Sequence, residues 1–308
     1  MIEKTYRYFA NIKLFRFFMS ILSFFYRLFI IKDIDPKFLI NIEGIKEMNI
    51  PLKSFENTKE GISGILRTKN GGFFLKNVVE SCVEYFDEII IINNNSSDNT
   101  KEVSLQLVKT YSNVKYYEYN YEIMRKGDSI TNSIYSLAYF YNWCFSKANY
   151  SIVGKIDDDG LFIQEILKLQ IEKIRKSNMF LKRNLFFYYW GLNFYKREKE
   201  IGVLGQNPYS GRYGDIGFYK KNKKTYYLQN GFTEKFISTK FYYDLGFSYL
   251  HLKYFKDKKG LESAPMYLKK IFLNILQYSE LKKVEKYTSK ITNSKCINII
   301  KTIISNNY

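Results

Sequence analysis

Three consecutive aspartates, Asp157, Asp158 and Asp159, follow the short apolar run 151–156 and precede Gly160. Adjacent carboxylates repel one another, and each shifts the pKa of its neighbours unless a positive charge lies between them. At the end of a buried strand they suit a hard divalent cation such as Mg²⁺ or Mn²⁺, which binds through one or two carboxylates together with substrate phosphates. The triplet therefore predicts a metal-bound diphosphate substrate. The alternative interpretation is a solvated acidic turn.

The segments around the triplet alternate between strand and helix patterns. The predicted strands are 62–66, 88–92, 114–117 and 151–156, and the predicted helices are 74–83, a helix capped by Ser97 or Asp98, and 130–146. Such alternation predicts a mostly parallel sheet flanked by helices, with ligands at the carboxyl ends of the strands. The polar motifs of this chain fall at those ends.

Four motifs follow one another in this part of the chain. The first strand leads into Arg-Thr-Lys-Asn-Gly at 67–71, and the second into Asn-Asn-Asn-Ser-Ser-Asp at 93–98. A Lys-Gly pair at 126–127 and the acidic triplet come next. In that order the motifs resemble the nucleotide-sugar-binding half of GT-A glycosyltransferases, most nearly glycosyltransferase family 2. The resemblance covers 61–162 and implies a Rossmann-like α/β fold, a nucleotide-sugar donor and Mg²⁺ or Mn²⁺.

The resemblance also implies roles for the matched positions. Asp157 and Asp159 correspond to the D-x-D pair, one facing the ribose and the metal, the other coordinating the metal that bridges the donor diphosphate. Thr68 and Asp158 are assigned to the donor site with them. Two cations at neighbouring strand ends, Arg67 and Lys126, contact the base or the pyrophosphate in this interpretation; otherwise they are solvated surface cations.

Asn93 and Asn94 depart from the pattern, because the family usually has aspartates after the second strand. An aspartate there accepts a hydrogen bond from the N3–H of uracil, whereas an asparagine amide both donates and accepts hydrogen bonds. Asn94 is therefore compatible with uracil and with cytosine, and a UDP-sugar is the leading donor. Alternatively, both asparagines cap the turn before the next helix.

The second half of the chain supplies the candidate base. The segment 230–236, Asn-Gly-Phe-Thr-Glu-Lys-Phe, resembles the family's Gly-Gly-Phe-Asp-Glu segment near the acceptor site. Inverting transfer requires a carboxylate that removes the proton of the acceptor hydroxyl. Glu234 is the first candidate, and Asp215, in a glycine-rich turn, is the second. Either is otherwise a structural carboxylate.

The single histidine of the chain, His251, follows a hydrophobic stretch. In many GT-A enzymes a late histidine is a third metal ligand, and a neutral imidazole suits that role. A histidine packed in the core is the alternative. Lys253 is placed to meet the diphosphate. Zinc is excluded as the expected metal, because the chain has one histidine and no C-x-x-C pair.

The chain has 308 residues and a net charge of +18, and its two ends carry much of that charge. The balance is +4 over 1–31 and +6 over 264–308, both with apolar residues at helical spacing. The longest uncharged N-terminal run, ten residues, is shorter than the roughly 20 that a membrane span needs. We therefore expect interfacial helices at an anionic membrane surface, or else helices that pack on the main domain.

These observations define an expected organisation. It comprises an N-terminal amphipathic helix and connector (1–60), a catalytic domain (61–260) with donor (61–162) and acceptor (163–260) halves, and basic amphipathic helices (261–308). We expect a cytoplasmic glycosyltransferase at the inner face of the cell membrane, with a saccharide or lipid-linked acceptor in bacterial surface glycan synthesis. No nucleic-acid partner is expected. The rival interpretations are a sugar nucleotidyltransferase of similar fold and a basic nucleic-acid-binding protein.

Overall fold

The computed structural model describes residues 32–56, 59–124, 130–177, 185–197, 200–203, 209–211, 216–231, 233–238 and 241–253, with the single residues 22 and 25. Lys126, Asp215 and the C-terminal segment 261–308 lie outside the described residues. So does the N-terminal segment, apart from Leu22 and Phe25, which are helical and 53% and 55% exposed. None of the helices within the described ranges is long and apolar enough to cross a membrane.

The described chain forms twelve strands and four α-helices. The strands are β1 (Lys59–Thr68), β2 (Glu88–Asn93), β3 (Val114–Glu118), β4 (Tyr150–Asp157), β5 (Gly160–Phe162), β6 (Leu185–Arg197), β7 (Glu200–Val203), β8 (Tyr209–Ser210), β9 (Gly217–Lys220), β10 (Tyr226–Asn230), β11 (Thr233–Ile237) and β12 (Phe241–Leu252). The α-helices are α1 (Gly72–Cys82), α2 (Thr100–Thr110), α3 (Leu137–Ser146) and α4 (Gln164–Lys176), and short 3-10 helices cover Pro36–Leu39, Lys46–Met48, Leu52–Phe55 and Val83–Tyr85.

One large sheet runs in the order β3-β2-β1-β4-β9-β6-β12-β5, with β7 and β8 paired to β6. Strands β3, β2, β1 and β4 are parallel neighbours, which confirms the predicted α/β fold in the first half of the chain. The second half is mixed, because β9 is antiparallel to both β4 and β6, whereas β12 is parallel to β6. Strands β10 and β11 form a separate hairpin.

The sheet is buried on both faces, as the continuous apolar run of β2 predicts. Ile89 and Ile91 face a core that also contains Phe74 of α1, whereas Ile90 and Ile92 face a core with Tyr139 of α3. The connector before β1 belongs to the second core: Ile34, Leu39, Met48, Ile50 and Phe55 are all buried there. The connector is therefore a packed part of the described domain.

The predicted helix over 130–146 was wrong at its start, because α3 begins only at Leu137. Ser136 caps the helix, and its Oγ accepts a hydrogen bond from the Tyr139 N–H at 3.0 Å. The residues before it are held as turns by Glu43 of the connector, whose carboxylate accepts from Ser133 Oγ at 2.6 Å and from the Ile134 N–H at 3.1 Å. A contact distant in sequence thus overrides the local helical spacing.

Glu88, at the start of β2, is a buried carboxylate remote from the acidic triplet. Its exposure is 1%, and it accepts hydrogen bonds from Ser63 Oγ at 2.6 Å and from Asn149 through the backbone N–H at 2.6 Å and the side chain at 2.8 Å. Lys115 Nζ lies 2.7 Å away. Burial raises the pKa of Glu88, but Lys115 and these hydrogen bonds outweigh it, and the net shift is downward.

We expect Glu88→Gln to lower the free energy of unfolding by about 2–4 kcal/mol at pH 7, because it removes a buried ion pair and disrupts a satisfied network. Since the folded-state pKa is depressed, the wild-type contribution is present above the unfolded value of about 4.3 and is lost as pH falls through the folded pKa. The difference in the free energy of unfolding between the wild type and Glu88→Gln should therefore become smaller at acidic pH. Urea unfolding at pH 7 and pH 4 measures this difference, with Glu172→Gln, at a partly exposed carboxylate, as control. Equal stability at pH 7 would contradict the expectation.

Candidate functional site

The carboxyl ends of β1, β2 and β4 meet at one edge of the sheet. In the β1–β4 register Arg67 lies opposite Asp157, and in the β1–β2 register Thr68 lies opposite Asn93. Thr68 Oγ1 donates a hydrogen bond to Asp158 Oδ2 at 2.6 Å. A Cβ atom at Gly71 would come within 2.1 Å of both of those oxygens, so only glycine fits there. The turn after β1 and the acidic triplet are thus locked together.

Asp159 lies beside His251, as β12 pairs with β5 and places His251 opposite Gly160. Asp159 Oδ1 is 3.1 Å from His251 Nε2, and the two side chains are 12% and 14% exposed. Two ligands on adjacent corners of an octahedral cation, each bonded at about 2.1 Å, lie about 3 Å apart. This spacing is that of an ion pair when the imidazole is protonated, and it also fits two adjacent ligands of one cation. The carboxylate oxygen is the donor that Mg²⁺ and Mn²⁺ prefer, and the imidazole nitrogen is available as a second ligand.

Asp157 does not join this pair. Its Oδ1 lies 3.5 Å from Lys155 Nζ, near Arg67. Over the described part of the chain, no group of three or more His, Cys, Asp or Glu side chains is arranged to hold a metal ion. Of the three predicted ligands, the structure places Asp159 and His251 side by side and Asp157 beside Lys155. Mg²⁺ commonly retains waters and is completed by substrate phosphates, so a two-residue protein site fits that chemistry.

Arg67 is held against the ring of Tyr141 on α3. The guanidinium carbon lies 3.6 Å from the ring centroid, a cation–π contact. Burial lowers the pKa of Arg67, but Tyr141, Tyr227 and Asp157 are among the groups that raise it, and the net shift is upward. Its Nη1 is buried with no hydrogen-bond partner among the described residues. A buried donor of this kind is costly unless a ligand accepts from it.

The two asparagines after β2 differ in what their side chains contact. Asn94 Nδ2 donates to the carbonyl oxygens of Tyr119 at 3.1 Å and Tyr121 at 2.9 Å. Both amide protons are therefore committed, the orientation is determined by two acceptors, and the oxygen is the group left to meet a ligand. Asn93 instead donates to the Tyr116 hydroxyl at 3.1 Å and accepts from the Ser96 N–H at 3.2 Å, so it holds the turn.

Asp98 connects this turn to α1. It accepts hydrogen bonds from the Thr100 N–H at 3.0 Å and the Gly72 N–H at 3.1 Å. Burial raises the pKa of Asp98, but the hydrogen bonds from Thr100 and Gly72 prevail, and the pKa is lowered. The predicted cap at Ser97 or Asp98 was wrong by at least one residue, because the N-cap of α2 is Asn99. Asp98, just before it, accepts from the first helical N–H and from Gly72, and so fixes the loop that follows β1.

Glu234 lies on β11, opposite Gln229 of β10, and is partly exposed. The hairpin packs on α3, where Gln229 Oε1 accepts from the Ala138 N–H at 3.2 Å. Burial is the main cause that raises the pKa of Tyr227; Arg67 opposes the shift, and Glu234 adds to it. Glu234 and Arg67 are therefore both near Tyr227, on the α3 side of the sheet.

Lys253, the last described residue of the second half, is exposed directly after β12. Three further residues contribute to the site although the sequence analysis did not single them out: Tyr141, Lys155 and Asn193. Asn193 Oδ1 lies 2.7 Å from His251 Nδ1. Asn193 and His251 are 58 positions apart, and no local pattern marks such a pair.

Residues 63–122 match the family model described as Glycosyl transferase family 2. The match runs from β1 into the loop after β3 and confirms the resemblance to that family in the donor half of the chain. The match covers 60 of the 308 residues of the chain. A search of curated proteins found no match.

Solved structures with a similar arrangement are only distantly related. The mannosyltransferase PcManGT from Pyrobaculum calidifontis, in complex with GDP-Man and Mn²⁺, is 15% identical over 46% of this chain and 37% of that chain, with a TM-score of 0.30. Glucosyl-3-phosphoglycerate synthase from Mycobacterium tuberculosis, in complex with Mn²⁺, UDP and glucosyl-3-phosphoglycerate, is 15% identical over 47% of each chain, with a TM-score of 0.28. The alignment thus spans less than half the length of either protein.

Proposed function

We propose that this protein is a metal-dependent glycosyltransferase that moves a sugar from a UDP-sugar to a saccharide or lipid-linked acceptor. The observation that carries the proposal is the Asp159–His251 pair, 3.1 Å apart at the carboxyl edge of the sheet. The same described domain contains residues 63–122, which match the glycosyl transferase family 2 model. The pair supplies one carboxylate oxygen and one imidazole nitrogen to Mg²⁺ or Mn²⁺.

When bound, such a cation offsets the charge of the donor diphosphate and stabilises the nucleoside diphosphate as it leaves. Asp159 and His251 hold it at the sheet edge. Asp158 is kept in place by Thr68. Asp157, beside Lys155 and opposite Arg67, is assigned to the ribose side of the donor.

Asn94 and Arg67 support uracil as the nucleobase of the donor. An amide that has committed both protons presents only an acceptor, as an aspartate would. N3 of uracil carries a proton, whereas N3 of cytosine carries a lone pair, so the Asn94 oxygen favours uracil. Nη1 of Arg67 is buried and has no hydrogen-bond partner among the described residues, and it is proposed to donate to a carbonyl or phosphate oxygen of the same nucleotide. Asn93 contributes the shape of the turn and no direct contact in this proposal.

A thermal-shift screen of nucleoside diphosphates with Mn²⁺ tests this assignment. We expect UDP at 100 times its dissociation constant to stabilise the protein by about 2.7 kcal/mol, because a ligand that binds only the folded state stabilises it by mass action. CDP at the same concentration should give a much smaller shift, and omission of Mn²⁺ should weaken the UDP shift. Equal shifts for CDP and UDP would refute the role of Asn94, and no shift with any nucleotide would refute the proposed function.

The acceptor and the membrane contact are proposed on the distribution of charge. The basic ends of the chain, +4 over 1–31 and +6 over 264–308, carry apolar residues between their lysines and arginines. Such segments bind anionic lipid headgroups with their apolar residues in the interface. A catalytic domain held there would face lipid-linked acceptors, and we propose that its reaction belongs to surface glycan assembly at the cytoplasmic side of the membrane. Glu234 is the proposed base, and Asp215, Lys126 and Lys253 remain candidate contacts.

A further inference from the structure

We infer that Asn193 is a positioning residue that holds the His251 imidazole with Nε2 directed at the metal site. The inference rests on the proposed function, because it concerns a ligand of the proposed metal. His251 on β12 and Asn193 on β6 are direct partners in a parallel register. Asn193 Oδ1 lies 2.7 Å from His251 Nδ1, and Asn193 is only 4% exposed. The contact is therefore short, buried and built on two strands of the central sheet.

The orientation of the Asn193 amide decides which nitrogen of His251 carries the proton. Asn193 Nδ2 donates to the Tyr209 carbonyl oxygen at 3.2 Å, which turns Oδ1 toward the imidazole. An amide oxygen can only accept, so Nδ1 of His251 must be the donor. In the neutral ring the lone pair is then on Nε2, the atom 3.1 Å from Asp159 Oδ1. A cation bound by both residues would take this lone pair and the Asp159 oxygen as two of its ligands; with no cation, a second proton on the ring makes the same contact an ion pair.

Histidines that ligate metals commonly donate their other N–H to a fixed acceptor, which sets the tautomer and raises the basicity of the ligand. In this protein Asn193 Oδ1 is the acceptor for the Nδ1–H of His251. The strand β8, which supplies the Tyr209 carbonyl, is therefore part of the same support. The Tyr249 hydroxyl reaches Ser210 Oγ of β8 at 2.9 Å and ties that strand to β12. The sequence separation of these residues explains why no motif contains them.

The tautomer can be read directly, because His251 is the single histidine of the chain. In the full-length protein labelled with [¹⁵N]histidine, we expect the complex with Mg²⁺ and UDP to show a protonated Nδ1 and an unprotonated Nε2. Mn²⁺ should broaden the Nε2 signal more than the Nδ1 signal. A proton on Nε2 in the Mg²⁺ complex would overturn the inference, whatever the variants show.

Two variants separate positioning from a merely structural role. Asn193→Leu removes the acceptor for Nδ1 and should weaken Mn²⁺ binding, measured as free Mn²⁺ by electron paramagnetic resonance with UDP present, by about 10–100-fold. Asn193→Asp keeps an acceptor for Nδ1 but loses the donor to Tyr209, and its affinity should stay within about threefold of wild type. If Asn193 served only to hold Tyr209, both variants would lose Mn²⁺ affinity to the same extent.

The outcomes for the proposed function and for this inference are distinct. If the wild-type protein with UDP binds no Mn²⁺, the proposed function fails. If the wild type binds Mn²⁺ and Asn193→Leu binds it equally well, only the role of Asn193 fails. If Asn193→Leu does not fold, the Asn193→Asp titration and the wild-type nitrogen spectrum decide, and a large loss of affinity in Asn193→Asp would refute the inference.

Discussion

Replacing Asp159 with alanine should lower sugar transfer by about 10³-fold or more and leave the fold intact. The carboxylate is one of two protein ligands in the proposed metal site, 3.1 Å from His251 Nε2. Stabilisation of a leaving diphosphate by a metal is worth several kcal/mol, and about 4 kcal/mol corresponds to a factor of about 10³ in rate. Release of UDP from a UDP-sugar, with and without acceptor, measures the loss, and circular dichroism reports the fold.

The matched control is Glu172→Ala on α4, which should retain wild-type turnover. Glu172 is partly exposed and forms an i,i+4 pair with Lys176. Asp157→Ala adds a comparison within the triplet. Since Asp157 lies beside Lys155 and apart from the Asp159–His251 pair, its replacement should weaken UDP binding more than it weakens Mn²⁺ binding. Undiminished turnover in Asp159→Ala would eliminate the metal site.

Replacing Glu234 with glutamine should lower the turnover number by about 10²–10⁴-fold, the usual contribution of a general base. Glutamine keeps the size of the side chain and its place opposite Gln229 in the hairpin, but it cannot take a proton from the acceptor hydroxyl. Binding of UDP with Mn²⁺ should be unchanged, because Glu234 acts on the acceptor. Initial rates at saturating donor, together with a UDP titration, separate the two effects.

Lys235→Gln is the control for this experiment. Lys235 is exposed, and as the next residue along β11 its side chain points to the opposite face of the hairpin from Glu234. It should transfer sugar at the wild-type rate. Full activity in Glu234→Gln, with a loss in Asp215→Asn, would move the base to Asp215 and leave the metal and donor assignments as they are.

The sequence alone predicted the structure best where a strand or turn is determined by residues close together in the chain. Continuous apolar runs predicted β1, β2 and β4 to within a few residues, and the polar residues after each run were predicted at one edge of a parallel sheet. Parallel pairing then brings Arg67 opposite Asp157 and Thr68 opposite Asn93. Local spacing was misleading over 130–136, where Glu43 holds the chain as turns ahead of α3.

The amino-acid sequence by itself determined the strands and helices of the parallel part of the sheet, because strand and turn patterns depend on neighbouring residues. Only the tertiary structure decided which side chains meet. It paired Asp157 with Lys155 and Asp159 with His251, placed His251 and Asn193 side by side, and committed the amide protons of Asn94 to two backbone carbonyls. These contacts join distant strands and loops, and their geometry follows from sheet register and from side-chain hydrogen bonds that no local spacing encodes.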